Sequence, residues 1–129
     1  MIFIDRSIPK GVAEALKQVR DDVVWLEDVF PHDVRDTVWL REAGQRGWLV
    51  ISRDKKIRTR PGERRAIIES SVGCFCLTFR QNLTRWEYLK LLAQALDEME
   101  RLFASTPRPF LYGVSRSGTL TPITLEQAG

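Results

Sequence analysis

Three aspartates, Asp5, Asp36 and Asp54, are the residues of this sequence best suited to chemistry. Each lies where an apolar run meets polar residues. Asp5 follows Met1-Ile2-Phe3-Ile4, Asp36 precedes Val38-Trp39-Leu40, and Asp54 comes shortly after Trp48-Leu49-Val50-Ile51. Carboxylates gathered at one place repel one another unless a cation lies among them, and hard oxygen ligands of this kind suit Mg²⁺ or Mn²⁺. Such an ion polarises a phosphoryl oxygen and lowers the pKa of a water, so the set could support phosphodiester hydrolysis. Plainer uses exist for each acid taken singly. Asp36 reads first as an N-cap, Asp54 as a loop residue paired with Lys55 or Arg53, and Asp5 as a cap for the helix beyond Pro9. Their order along the chain and the charge beside them favour the metal reading.

That charge is local. The chain carries a formal net charge of only +3, yet between Arg53 and Arg65 the basic residues Arg53, Lys55, Lys56, Arg58, Arg60, Arg64 and Arg65 face only Asp54 and Glu63. Nucleic-acid affinity comes largely from Lys and Arg neutralising phosphates, and such contacts also fix the register of the scissile bond. Arg53, Lys55, Lys56, Arg58 and Arg60 are therefore the expected phosphate contacts, against the plainer reading of a solvated charged surface. His32, in the polar segment Phe30-Pro31-His32-Asp33, reads as a loop histidine rather than a general base.

The elements that must position these residues follow from periodicity. Met1 to Asp5 reads as a short strand, and a helix starting near Pro9 places Val12, Ala15, Leu16 and Val19 on one face. Val23-Val24-Trp25-Leu26 is a second strand. Asp36 opens a helix that Gly47 closes in the left-handed conformation, and the apolar run Trp48 to Ile51 suits a central parallel strand. Pro61 and Glu63 belong to the first turn of a third helix ending near Ser71, with Gly73 as terminator, before the strand Cys74 to Phe79. Thr84 and Glu87 form a capping box for the longest helix, whose stripe is Leu89, Leu92, Leu96, Met99 and Phe103. From Phe110 to Thr124 two short strands about a glycine-containing turn make a terminal hairpin. Alternating strands and helices with right-handed crossovers imply an α/β fold, a mainly parallel central sheet between helical layers. The carboxyl ends of its strands are where ligands gather, and where the acids fall.

At 129 residues with 43% hydrophobic and 29% charged composition, residues 1–129 are expected to form a single domain with its own core. The opening residues carry no secretory pattern, and no apolar run is long enough for a bilayer, so a cytoplasmic protein without a membrane partner is expected. Cys74 and Cys76 read as reduced, buried small hydrophobes. Trp25, Trp39, Trp48 and Trp86 fall within apolar patterns and are expected in the core.

Three stretches carry a family resemblance: Phe3-Ile4-Asp5-Arg6-Ser7-Ile8-Pro9, then Asp36-Thr37-Val38-Trp39-Leu40, then Gly47 through Arg58 with Arg60-Pro61-Gly62-Glu63-Arg64. Together they resemble PIN-like domains, in particular the compact VapC-type toxin ribonucleases, over at least the first eighty residues. The strand ending in Ser52-Arg53-Asp54-Lys55-Lys56-Ile57-Arg58 is the strongest element. The resemblance implies a three-layer α/β/α PIN-like fold and a Mg²⁺- or Mn²⁺-dependent endoribonuclease, with RNA as substrate and a cognate antitoxin protein covering its acidic site. It makes Asp5, Asp36 and Asp54 the metal ligands and Ser52 a hydrogen-bond donor behind them. A fourth acid common in such nucleases could be Asp28, Asp33, Glu42 or Glu63. The terminal hairpin has no clear counterpart in the commonest pattern, so the partner surface does not transfer, although a homodimer is expected.

Two other readings compete. A non-catalytic PIN-like module would bind RNA or protein and use the acids as caps and surface charge. A receiver-like phosphoacceptor domain fits less well, because it needs paired acids after the first strand and a lysine ending its last parallel strand. This chain has Asp5-Arg6 and Thr78-Phe79-Arg80 at those places.

Overall fold

The computed structural model describes residues 1–125. Six strands form one sheet: β1 (Ile2–Ile4), β2 (Val23–Trp25), β3 (Leu49–Ser52), β4 (Gly73–Leu77), β5 (Phe110–Val114) and β6 (Leu120–Ile123). Their order across the sheet is β2-β1-β3-β4-β5-β6. All neighbours are parallel except β5 and β6, which pair antiparallel as the expected terminal hairpin. Pro122 is accommodated because β6 is an edge strand, where a missing ladder donor costs little.

Side-chain alternation along these strands creates two cores. Phe3, Val50, Cys74 and Leu111 stand in register across one face, while Ile4, Ile51, Phe75 and Tyr112 stand in register across the other. The second face packs against α1 (Lys10–Lys17) and α6 (Arg85–Ser105), through Val12, Leu16, Leu92, Leu96 and Met99. The first is covered by α3 (Asp36–Arg46), α4 (Lys55–Thr59) and α5 (Pro61–Glu69), through Trp39, Leu40, Ile57 and Ile67. A short turn of helix, α2 (Leu26–Val29), follows β2 directly. The result is the expected three-layer α/β/α arrangement. Phe3 lies between the rings of Trp39 and Trp48, at centroid distances of 5.3 and 5.4 Å. Burial of large apolar side chains contributes about 1.5–3 kcal/mol each, so such a sandwich anchors β1 and the residues just beyond it.

Several expected boundaries move, each for a local reason. α1 ends at Lys17, and its buried face runs back to Ile8 instead of on to Val19, which is 80% exposed. α5 ends at Glu69, and the left-handed residue after it is Ser71, at φ 54°, not Gly73. Gly73 is instead the first residue of β4, where a Cβ would come within 2.7 Å of the Phe110 ring and 2.8 Å of Phe103. β4 stops at Leu77, leaving Thr78 and Phe79 in the following loop. Gly47 does close α3 in the left-handed region, at φ 67°, and Thr84 with Glu87 forms the capping box of α6. The basic stretch forms a pair of short helices joined at Arg60. Cys74 and Cys76 are free and buried, as expected. Trp25 and Trp39 are core residues and Trp48 is partly buried, but Trp86 is exposed.

Candidate active site

Asp5 leaves β1 and is held at once by its neighbour strand, its amide donating to the Ile51 carbonyl at 3.0 Å. Its side chain is almost wholly buried, at 1% exposure. Oδ2 accepts from the Ser7 and Ser52 hydroxyls, both at 2.8 Å. Each hydroxyl also accepts a backbone amide: Ser7 from Arg53 at 2.8 Å, Ser52 from Asp54 at 3.0 Å. Those incoming amides fix the polarity of both hydroxyls, because a serine with an N–H aimed at its oxygen turns its own proton elsewhere. Both protons therefore go to Asp5 Oδ2. Oδ1 is left buried without a hydrogen-bond partner.

A buried, half-satisfied carboxylate is electrostatically costly. Burial pushes the Asp5 carboxyl above the ordinary aspartate range; the hydroxyls of Ser52 and Ser7 pull it down, and the Asp36 and Asp54 carboxylates push it up again. Ser52 joins Asp5 to the Asp54 amide, and Arg6, the residue after Asp5, pairs with Asp36, so the three aspartates share one region at the carboxyl edge of the sheet. They do not close into a preformed cage: among the described residues no three His, Cys, Asp or Glu side chains converge as a ready ligand set. A buried oxygen without a partner, repelled by two nearby acids, fits a divalent cation.

Asp36 is the first residue of α3 rather than its cap; that position belongs to Arg35. Its carboxylate accepts from Trp39 Nε1 at 3.0 Å and pairs with the Arg6 guanidinium at 3.7 Å. Asp54 does cap a helix. Its Oδ1 accepts from the Lys56 amide at 3.0 Å at the start of α4, while Oδ2 lies 3.6 Å from Lys56 Nζ. Asp5 caps nothing, since α1 begins after Pro9 with no side-chain cap. Of the four residues considered as a further acid, Glu63 is buried and lines the same cleft as Asp36. Asp28 is paired with Lys17 at 2.5 Å, Glu42 with Arg46 at 2.6 Å, and Asp33 lies exposed in the loop before α3.

That cleft, of about 310 Å³, is lined by Arg6, Arg35, Asp36, Thr37, Lys56, Arg60 and Glu63. Four cations face two acids, so it favours an anion. Arg6 is preset there, donating to the His32 carbonyl at 2.7 Å and the Val34 carbonyl at 2.8 Å. His32 thus contributes its backbone, and its ring is exposed. Of the five expected phosphate contacts, Lys56 and Arg60 line the cleft, whereas Lys55 and Arg58 do not. Arg53 is committed within the chain. Its guanidinium donates to Tyr88 Oη at 2.6 Å, to the Phe79 carbonyl at 3.2 Å and to the Gln81 carbonyl, and stacks over the Phe79 ring at 4.6 Å. Sequence reasoning missed Arg6, Ser7 and Arg35. The available signal was adjacency, since Arg6 follows Asp5 and Arg35 precedes Asp36.

A family model described as a PIN-like domain matches residues 1–79, more than half of the chain. The chain belongs to the PIN-like domain family. Over 123 residues this PIN-like protein is also 28% identical to "Putative ribonuclease VapC45" of Mycobacterium tuberculosis (strain ATCC 25618 / H37Rv), an alignment covering 90% of this chain and 86% of the relative. Both findings bear out the expected kinship with PIN-like domains of the VapC type. No solved structure matches the chain. No helix among its described residues is long and apolar enough to cross a membrane.

Proposed function

We propose that residues 1–129 act as one unit, a divalent-metal-dependent endoribonuclease of the toxin type, with Asp5, Asp36 and Asp54 as metal ligands and catalytic residues. The observation that carries this reading is Asp5 itself, a buried carboxylate with one oxygen saturated by two oriented serines and the other without a partner. Membership of the PIN-like family and the likeness to a protein named a ribonuclease support it. When bound, Mg²⁺ or Mn²⁺ would polarise the scissile phosphoryl group and favour deprotonation of the attacking water.

The chain's own residues supply the rest. Ser7 and Ser52 hold Asp5 so that Oδ1 is the oxygen presented to the ion. Glu63, buried in the cleft beside Asp36, is the fourth acid. Arg6, Arg35, Lys56 and Arg60 neutralise RNA phosphates next to the scissile one, and Arg6 is already ordered by two carbonyls before substrate arrives. Arg53 acts from behind, tying the residue before Asp54 to the loop after β4. By the same family resemblance, the partner that restrains the enzyme is a cognate antitoxin protein seated over the acids.

Incubating the protein with a mixed structured RNA and Mn²⁺ or Mg²⁺ tests the proposal directly. Cleavage that EDTA, Asp5→Asn and Asp54→Asn each abolish is the expected result. A wild-type protein that binds RNA without cutting it, indistinguishable from both variants, would instead make the chain a non-catalytic module.

A further inference from the structure

Trp86 is the one aromatic among the large apolar side chains left exposed in the described residues, at 64% exposure. Water is an unfavourable place for an indole, whose ring is usually among the larger contributors to a core or an interface. α6 buries Tyr88, Leu91, Leu92, Ala95, Leu96 and Met99 against the sheet, and Trp86 stands outside that face. Lys90, one turn further on, places Nζ 5.8 Å from the ring centroid. It also lines a shallow groove of about 210 Å³ with Leu83, Glu87, Leu91, Gln94 and Arg116. The acid of this groove is already neutralised, because Glu87 Oε2 accepts from Arg116 at 2.8 Å. Lys90 is exposed and makes no ion pair among the described residues. An exposed indole under an unpaired lysine, beside a groove with apolar walls and an amide, is the surface that an unpaired nucleobase and its phosphate complement.

Position links this surface to the acids. α6 begins beyond the carboxyl end of β4, at the edge of the sheet where Asp5 and Asp54 lie. The intervening loop is fastened by Arg53 through the Phe79 and Gln81 carbonyls and Tyr88 Oη. We propose that Trp86, with Lys90 and the adjoining groove, is a base-stacking platform that holds an unpaired stretch of the RNA strand alongside the cleavage site. The inference rests on the ribonuclease reading and adds where the strand runs and that it is single-stranded there.

The test measures binding of a fluorescein-labelled, unstructured RNA of about 12 nucleotides, a length typical of single-strand sites, in EDTA. Wild type is compared with Trp86→Ala, Trp86→Phe and the double variant Lys56→Ala with Arg60→Ala. Stacking of one base on an aromatic ring corresponds to roughly a tenfold change in affinity, so Trp86→Ala should lose about that factor. Trp86→Phe should keep most of the affinity while losing the RNA-induced quenching of tryptophan fluorescence. If Trp86→Ala binds like wild type while the double variant is weakened, the platform is wrong and the ribonuclease reading stands. If Trp86→Ala instead disperses a self-associated species at unchanged RNA affinity, the indole is a protein contact and the proposal falls. A wild type with no RNA affinity overturns both readings.

Discussion

Ser52 Oγ donates to Asp5 Oδ2 at 2.8 Å while accepting the Asp54 amide at 3.0 Å, so a single hydroxyl links the acid after β1 to the acid after β3. Ser7 repeats the arrangement with the Arg53 amide. Through these two serines, the geometry of Asp5 depends on the backbone that follows β3.

Removing either hydroxyl should therefore act on Asp5. Ser52→Ala loses a buried bond and strands the Asp54 amide, a cost of about 1–3 kcal/mol. Because groups that orient a ligand typically govern about 10–100-fold in metal affinity, Mn²⁺ binding should weaken by a factor in that range for Ser52→Ala and for Ser7→Ala. Denaturant unfolding and a Mn²⁺ titration read the two effects separately. Unchanged Mn²⁺ affinity in both variants would deny the serines any orienting role.

The buried charge of Asp5 predicts a pH dependence. Its folded-state pKa lies above the ordinary value of 3.8, so its contribution to stability is complete below that value and is lost as pH rises through the elevated one. In EDTA, wild type should lose stability relative to Asp5→Asn over the range from about pH 4 upward. Adding Mn²⁺ near neutral pH should raise the Tm of wild type, since a ligand bound only by the folded state stabilises it, and leave Asp5→Asn unmoved. Parallel wild-type and variant melts across pH, with no response to Mn²⁺, would contradict the metal site.

Basic residues should separate by role when salt is varied. Lys56→Ala and Arg60→Ala should each flatten the dependence of log affinity on log salt by about 0.7 for a single-stranded RNA. Arg53→Ala should leave that slope in place and instead lower folding stability by about 1.5–3 kcal/mol, because charge-assisted bonds to two carbonyls and Tyr88 disappear. A salt slope that falls equally in all three variants would return Arg53 to the RNA.

Close packing of α3 on α5 should also be visible in stability. A Cβ on Gly44 would sit 2.2 Å from the Ser70 carbonyl oxygen, a backbone atom that cannot step aside. Gly44→Ala should cost about 2–3 kcal/mol in denaturant unfolding. Gly62→Ala, where nothing lies within 4 Å, should be neutral or stabilise α5 by up to about 1 kcal/mol. Equal stabilities for the two variants would mean that the helices can separate without cost.

Much of the framework is carried by local sequence. Period-2 and helical apolar patterns, the capping box of Thr84 and Glu87, and Gly47 in its left-handed conformation all depend on neighbours a few residues away, so a linear reading finds them. The order of Asp5, Asp36 and Asp54 about strand ends was sufficient to place them at one edge of a parallel sheet. Val19 and Gly73 were misread because helix length and strand start depend on what the next element packs against, as the rings of Phe103 and Phe110 show at Gly73.

The sequence by itself determined the alternating strands and helices, the edge at which the acids lie and the kinship with PIN-like domains, because periodicity, capping and motif order are properties of adjacent residues. Tertiary structure alone decided which charges are available. Arg53 and Lys56 are three residues apart, yet one guanidinium is fastened between β3 and α6 while the other cation lines the cleft with Arg6, Arg35 and Arg60. It also decided that Glu63 is buried beside Asp36, that Trp86 is left in water, and that Asp5 keeps one oxygen without a partner. The physical reason is common to all of these: hydrogen-bond partners and burial are set by residues far away in sequence, 47 positions in the case of Ser52 and Asp5, and those distances close only when the sheet forms.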